Sequence, residues 1–154
     1  MSLPPSLPRA VLTLVLLHAA ALMAAPPRIT EFMASNDGII ADEDGDFPDW
    51  IEIHNPDPAR IDLAGYSLTD NSSEPTKWTF PAGSYIAGGE YLVVFASGKN
   101  RGSPPAKLHT NFQLDAGGEY LALIAPDGST ILTEFGSETV PFPRQRPDIS
   151  YGTG

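Results

Sequence analysis

What most constrains this chain is its punctuation. From Pro26 onward, Gly, Pro, Asn and Asp interrupt the sequence every few residues, and the apolar positions between them never hold a 3.6-residue period over a helical length. The runs that remain have strand character. Trp50-Ile51-Glu52-Ile53-His54 alternates, and Lys77-Trp78-Thr79-Phe80 is closed by Pro81. Val93-Val94-Phe95-Ala96 and Ala122-Leu123-Ile124 are apolar on both faces, as strands covered on both sides are. Pro126-Asp127-Gly128-Ser129 makes a tight turn from which residues 131–135 can pair back as a hairpin. Short strands with turns at this spacing predict an all-β, antiparallel sandwich or barrel.

The first strand is expected at Arg28-Ile29-Thr30-Glu31-Phe32-Met33, with Ile29 and Met33 on one side and Phe32 opposing them. The predicted core contains Ile51, Ile53, Leu68, Leu92, Val94, Leu121 and Leu123, together with Trp50 and Trp78. The hexapeptide Ala-Gly-Gly-Glu-Tyr-Leu occurs twice, at residues 87–92 and 116–121. Its flanks differ, so it reads as one turn solution used twice, the paired glycines supplying a positive φ.

Three segments follow. Arg9 precedes an apolar run from Ala10 to Ala21, and small residues end it before Pro26-Pro27. That pattern describes a secretory signal peptide over residues 1–25, a short helix removed on export, and its other reading is an uncleaved anchor or a buried helix. Residues 26–136 are the expected domain. Residues 137–154, with three prolines among 141–147 and a Tyr-Gly-Thr-Gly end, read as a linker or tail that could lead into a further domain. The expected location is secreted, cell-surface or periplasmic, with no membrane span once the leader is gone.

The formal net charge is −10, and removing Arg9 with the leader leaves 8 basic against 19 acidic residues, or −11. Nucleic acid and anionic membranes need a basic footprint, so neither is an expected partner. The absence of cysteine excludes a disulfide framework, a thiolate nucleophile and a Cys-based zinc site. No Gly-x-Ser-x-Gly elbow and no phosphate-cradling glycine motif is present. His54 and His109 share no short ligand spacing and read as structural or surface residues. Acids that could flank a glycosidic bond are present, but nothing in the sequence fixes a pair at the required separation.

The densest acidic run, Asp42-Glu43-Asp44-Gly45-Asp46, stands directly ahead of a strand. Asp42, Asp44 and Asp46 at alternating positions, with Gly45 permitting a turn and Asp49 as a later ligand, form a candidate calcium site of hard oxygens. It differs from an EF-hand loop: the glycine falls one place early, the closing glutamate is missing and no flanking helices are predicted. The plainer reading is a solvated acidic turn that discourages edge pairing. No other cofactor is implied. Trp50, Trp78, Tyr66, Tyr91 and Tyr120 could make a sugar-stacking platform, although alternation favours core filling for the tryptophans.

Taken in order, several stretches resemble the lamin-tail domain of the bacterial exported type. They are Ile29-Thr30-Glu31-Phe32-Met33-Ala34-Ser35-Asn36, Asp49-Trp50-Ile51-Glu52-Ile53-His54-Asn55, Ile61-Asp62-Leu63-Ala64-Gly65-Tyr66-Ser67-Leu68-Thr69-Asp70, Lys77-Trp78-Thr79-Phe80-Pro81, Gly89-Glu90-Tyr91-Leu92-Val93 and His109-Thr110-Asn111-Phe112-Gln113-Leu114. The resemblance implies an immunoglobulin-like β-sandwich without catalytic residues, acting as an interaction or spacer module. The expected partner is an extracellular protein or polysaccharide, or a neighbouring domain of a longer chain. The alternative is a calcium-supported carbohydrate-binding accessory module of an exported hydrolase.

Overall fold

Period-two alternation sets which side chains the strands bury, and two packed sheets are the result. The computed structural model describes residues 24–137 and 139–153, so the expected leader lies almost wholly outside the described residues. The strands are β1 (Arg28–Met33), β2 (Asp49–His54), β3 (Ile61–Asp62), β4 (Ser67–Thr69), β5 (Trp78–Thr79), β6 (Tyr85–Ile86), β7 (Tyr91–Ala96), β8 (Leu108–His109), β9 (Leu121–Ile124), β10 (Ile131–Phe135) and β11 (Tyr151–Gly152). One sheet has the order β11-β1-β2-β7-β8 and the other β10-β9-β4-β5, with β3 and β6 pairing separately. All pairings between these strands are antiparallel except β7 with β8. This is an all-β, immunoglobulin-like sandwich.

Ile51, Ile53 and Val94 from the first sheet meet Leu68, Trp78, Leu121 and Leu123 from the second, and all are buried in one cluster. The outer face of β2 and β7 is also covered, because Trp50 and Phe95 pack with Met33 in a second cluster flanked by Ile40 and Val93. That explains why residues 93–96 are apolar on both faces. Leu92, expected in the core, is only half-buried and packs against its margin.

The expected facing of β1 is corrected. In β1 the register steps from Ile29 opposite Ile53 to Glu31 opposite Glu52, so β1 carries one extra residue at Thr30. This bulge puts Ile29 and Phe32 together in the main core and turns Met33 to the outer face, reversing the expected arrangement. The twin hexapeptides behave as expected at the second glycine, since Gly89 and Gly118 have φ of 74° and 108°. Their tyrosines diverge, with Tyr91 56% exposed and Tyr120 only 8%.

The segment read as a linker or tail packs onto the domain. Phe142 is 3% exposed and its ring lies 4.7 Å from that of Phe32. Its amide donates to Glu119 O at 2.8 Å, and the Gln145 amide donates to Ala116 O at 2.8 Å. Asp148 Oδ1 accepts the amides of Asp37 and Gly38 at 2.8 and 3.0 Å. Beyond it, β11 adds to β1 with Tyr151 opposite Phe32 and Gly152 opposite Glu31. A Cβ at Gly152 would stand 2.2 Å from Thr30 O, so this approach needs glycine. Prolines gave the segment the look of a linker because they forbid regular structure, but they do not forbid one buried aromatic ring. Phe142→Ala should cost about 3–5 kcal/mol in urea unfolding; an unchanged midpoint would mean the segment contributes nothing to the fold.

Candidate functional site

Asn36 shapes the base of the acidic loop. Its Nδ2 donates to Ile40 O and Pro48 O, each at 2.8 Å, and its Oδ1 accepts the Ile39 amide at 2.9 Å. Gly45, at φ 84°, allows the loop to close, and the Asp42 amide then reaches Asp46 O at 2.9 Å. Asp42 Oδ1 accepts the amides of Asp44 and Asp46 at 2.9 and 3.1 Å. Its other oxygen pairs with Lys99 Nζ, which also binds Asp44 and Asp46, each at 2.8 Å. Arg101 pairs with Asp44, and with Glu43 at 3.2 Å. The three alternating aspartates therefore do converge, with their oxygens on the ammonium of Lys99. Asp49 stands apart and accepts the Leu114 amide at 3.2 Å.

The bases reach the loop because residues 97–107, between β7 and β8, are pinned at intervals. Gly98 N donates to Phe112 O, Asn100 N to Thr110 O and His109 N to Arg101 O, at 2.9–3.0 Å. Burial is the largest influence on Asp42 and opposes its ionisation. Lys99 and the two loop amides together outweigh it, holding the carboxyl below its usual range. Lys99 and Arg101 hold Asp44 low in the same way, and Glu43 is lowered by its own amide and by His109. The three carboxylates in turn raise Lys99.

A second arrangement was not visible in the sequence. Fully buried His109 links Ser97 Oγ, 2.9 Å from Nδ1, to Glu43, 3.0 Å from Nε2. Serine, imidazole and carboxylate in this order have the connectivity of an acyl-transfer triad. Here Ser97 Oγ also accepts the Lys99 amide at 3.1 Å, and the ring stacks on Phe95 at 5.2 Å. These contacts make the chain a brace for both loops.

Several grooves open on the surface among the described residues, and three are the roomiest. On the outer face of the first sheet, His54 stacks on its cross-strand partner Tyr91 at 4.3 Å. With Arg28, Thr30, Glu31, Glu52 and Thr153 they line about 510 Å³. A more apolar groove of about 710 Å³ lies among Tyr85, Leu92, Val93, Pro104, Pro105 and Leu108. The third, about 330 Å³, holds Asp70, Asn71, Ser72, Glu119 and Tyr120. Among the aromatics proposed for sugar stacking, Trp50, Trp78 and Tyr120 are buried and Tyr91 is exposed; Tyr85, passed over in the sequence, is 51% exposed.

Burial pushes Asp49 up to about 6 against the Leu114 and Asn36 amides, and pushes Glu119 up to about 7, with Asp70 and Asp115 adding to the rise. A carboxyl with a raised folded pKa takes up a proton on folding, so its penalty is relieved as pH falls toward the unfolded value. The lowered clamp carboxylates contribute above their unfolded values and lose that contribution as pH falls through their folded ones. The melting temperature should therefore rise between about pH 7 and about pH 5 and fall below about pH 4. Asp49→Asn combined with Glu119→Gln should flatten the rise and leave the acid fall, measured by thermal melts across that range.

The comparisons agree with this architecture. The family model for the Lamin Tail Domain matches residues 24–137, and no curated protein matches the chain. The folded unit continues past that match, through Phe142 and β11. Lamin-tail domains are immunoglobulin-like modules of a non-enzymatic family, and this chain belongs to the lamin tail domain family.

Proposed function

We propose that this protein is a non-catalytic, exported recognition module that holds an extracellular protein or polysaccharide, or spaces and positions a neighbouring domain. The observation that carries the reading is a division of labour among side chains. The groups best suited to chemistry, Ser97, His109, Glu43 and the aspartates around Lys99, are committed to one another inside the two loops. Among the large apolar side chains left exposed, Tyr85 and Tyr91 flank open grooves. Export rests on the leader pattern of residues 1–25, and the net charge of −10 suits a partner without strong negative charge. The test is turnover on a panel of ester, glycoside and phosphodiester substrates. The reading expects none; hydrolysis abolished by Ser97→Ala or His109→Ala would replace it with a hydrolase.

Calcium-supported polysaccharide binding is the second reading, and the convergence of Asp42, Asp44 and Asp46 favours it, since their carboxylate oxygens lie within 4.8 Å of one another. Calcium at this point takes the place of the Lys99 ammonium, so the wild-type protein should respond weakly. Lys99→Met should melt lower than wild type in chelator and recover in millimolar calcium. A Lys99→Met protein indifferent to calcium, with no calcium-dependent signal from wild type on a glycan array, removes this reading.

A further inference from the structure

β7 is fully paired on one side and paired at only two of its six residues on the other. β2 runs alongside all of it, from Tyr91 opposite His54 to Ala96 opposite Asp49. β8 pairs only with Val94 and Phe95, and β6, which precedes β7 in the chain, pairs with β3 instead. Residues 91–93 thus have no strand neighbour on the β8 side among the described residues. Their backbone alternation tells which groups face the gap. The Asn55 amide donates to Glu90 O at 3.0 Å, which places Glu90 and Leu92 in the pairs bonded to β2. Tyr91 and Val93 therefore direct their backbone groups the other way. Phe95, two residues on, agrees, because its carbonyl accepts the Thr110 amide at 2.9 Å on the β8 side.

The chain itself does not fill this edge. Pro104 and Pro105 precede β8 and carry no amide hydrogen, so they cannot extend it back along β7. The Ala106 amide instead turns back to Ser103 O at 2.9 Å. The result is the groove of about 710 Å³, floored by buried Ile86 and Leu108 and flanked by Tyr85 and Tyr91. The basic groups at the groove are engaged, with Arg60 lying 4.6 Å over the Tyr85 ring. Lys107 is engaged, donating to Ala41 O at 3.1 Å with its ammonium 5.1 Å from the Phe95 ring. Glu90 is exposed and makes no ion pair among the described residues.

We infer that the open edge at residues 91–93 is a docking site for an extended peptide, which adds as a short strand beside β7, seats apolar side chains between Tyr85 and the residue 104–106 turn, and sets a lysine or arginine against Glu90. This deepens the recognition reading and rests on it. Main-chain pairing supplies the affinity common to such strand additions, and the tyrosine-lined walls select side chains. The net charge of −10 favours the same basic occupant.

The test uses the isotopically labelled chain and an acetylated, amidated hexapeptide of sequence Lys-Val-Thr-Val-Thr-Lys. Saturable amide shifts are expected at Tyr85, at residues 91–93 and at residues 106–108. N-methylation of one alternate set of peptide amides should weaken binding by about tenfold or more, because it removes the bonds to β7, while methylation of the other set should leave binding unchanged. Glu90→Lys, a surface change away from the core, should weaken it in the same direction. Equal effects from the two methylated sets, shifts elsewhere on the surface, no binding, or chitohexaose saturating the same resonances in place of the peptide would each overturn strand docking. Those outcomes leave the recognition reading standing, since it falls to substrate turnover and not to this titration.

Discussion

The Lys99 ammonium is the interaction on which the two long loops depend. Asp42 has a fully buried side chain, and a carboxylate in that position needs both a countercharge and donors for its remaining lone pairs. Lys99 supplies the first and the Asp44 and Asp46 amides the second. Fixing Asp42 fixes the loop whose stem residue Ile40 covers Trp50 and Phe95. Fixing Lys99 fixes the connection between β7 and β8, with the His109 brace holding the same two segments further along. That connection, with its prolines, is also what keeps β8 short. One ion cluster thus helps to close the outer face of the sheet at one end of β7 while its edge stays open at the other.

Much of this was legible in the sequence, for identifiable reasons. Strands such as β2 and β9, and the hairpin of β9 with β10, follow from local alternation and turn chemistry, both of which act over a few residues. The second glycine of each hexapeptide is dictated by its own φ, so the turn was readable twice. The bulge in β1 was not readable, because alternation assumes one residue per step and the extra one at Thr30 is set by pairing with β2. Tyr91 and Tyr120 show the same limit, since identical hexapeptides cannot reveal that one tyrosine faces solvent while the other packs with Ala122 and Ile124 and donates to Glu134.

The site was read in half. The acidic residues that belong together were recognised by spacing, and Asp42, Asp44 and Asp46 do meet. Their cation could not be recognised that way, because Lys99 lies more than fifty residues further along the chain and is brought back by the sandwich. Asp49 shares the sequence neighbourhood yet belongs to β2, where the pleat turns its carboxyl toward Leu114. The open edge of β7 is likewise a product of topology: it exists because β6 and β8 are assigned elsewhere, and no local pattern encodes that.

The position of β11 has a mechanical consequence. Thr153 N donates to Thr30 O at 3.0 Å, and the β1–β11 pairing is antiparallel, so the two ends of the folded unit leave from the same end of one strand pair. Where residues 1–25 stay in place as an uncleaved anchor, a pull between that anchor and the chain after β11 loads those bonds one after another, starting at Thr30 and Thr153, as in opening a zipper. That seam holds two residue pairs, against six between β2 and β7. In a tethered protein under tension, β11 would act as the first link to yield, lengthening the molecule while most of the sandwich stays intact.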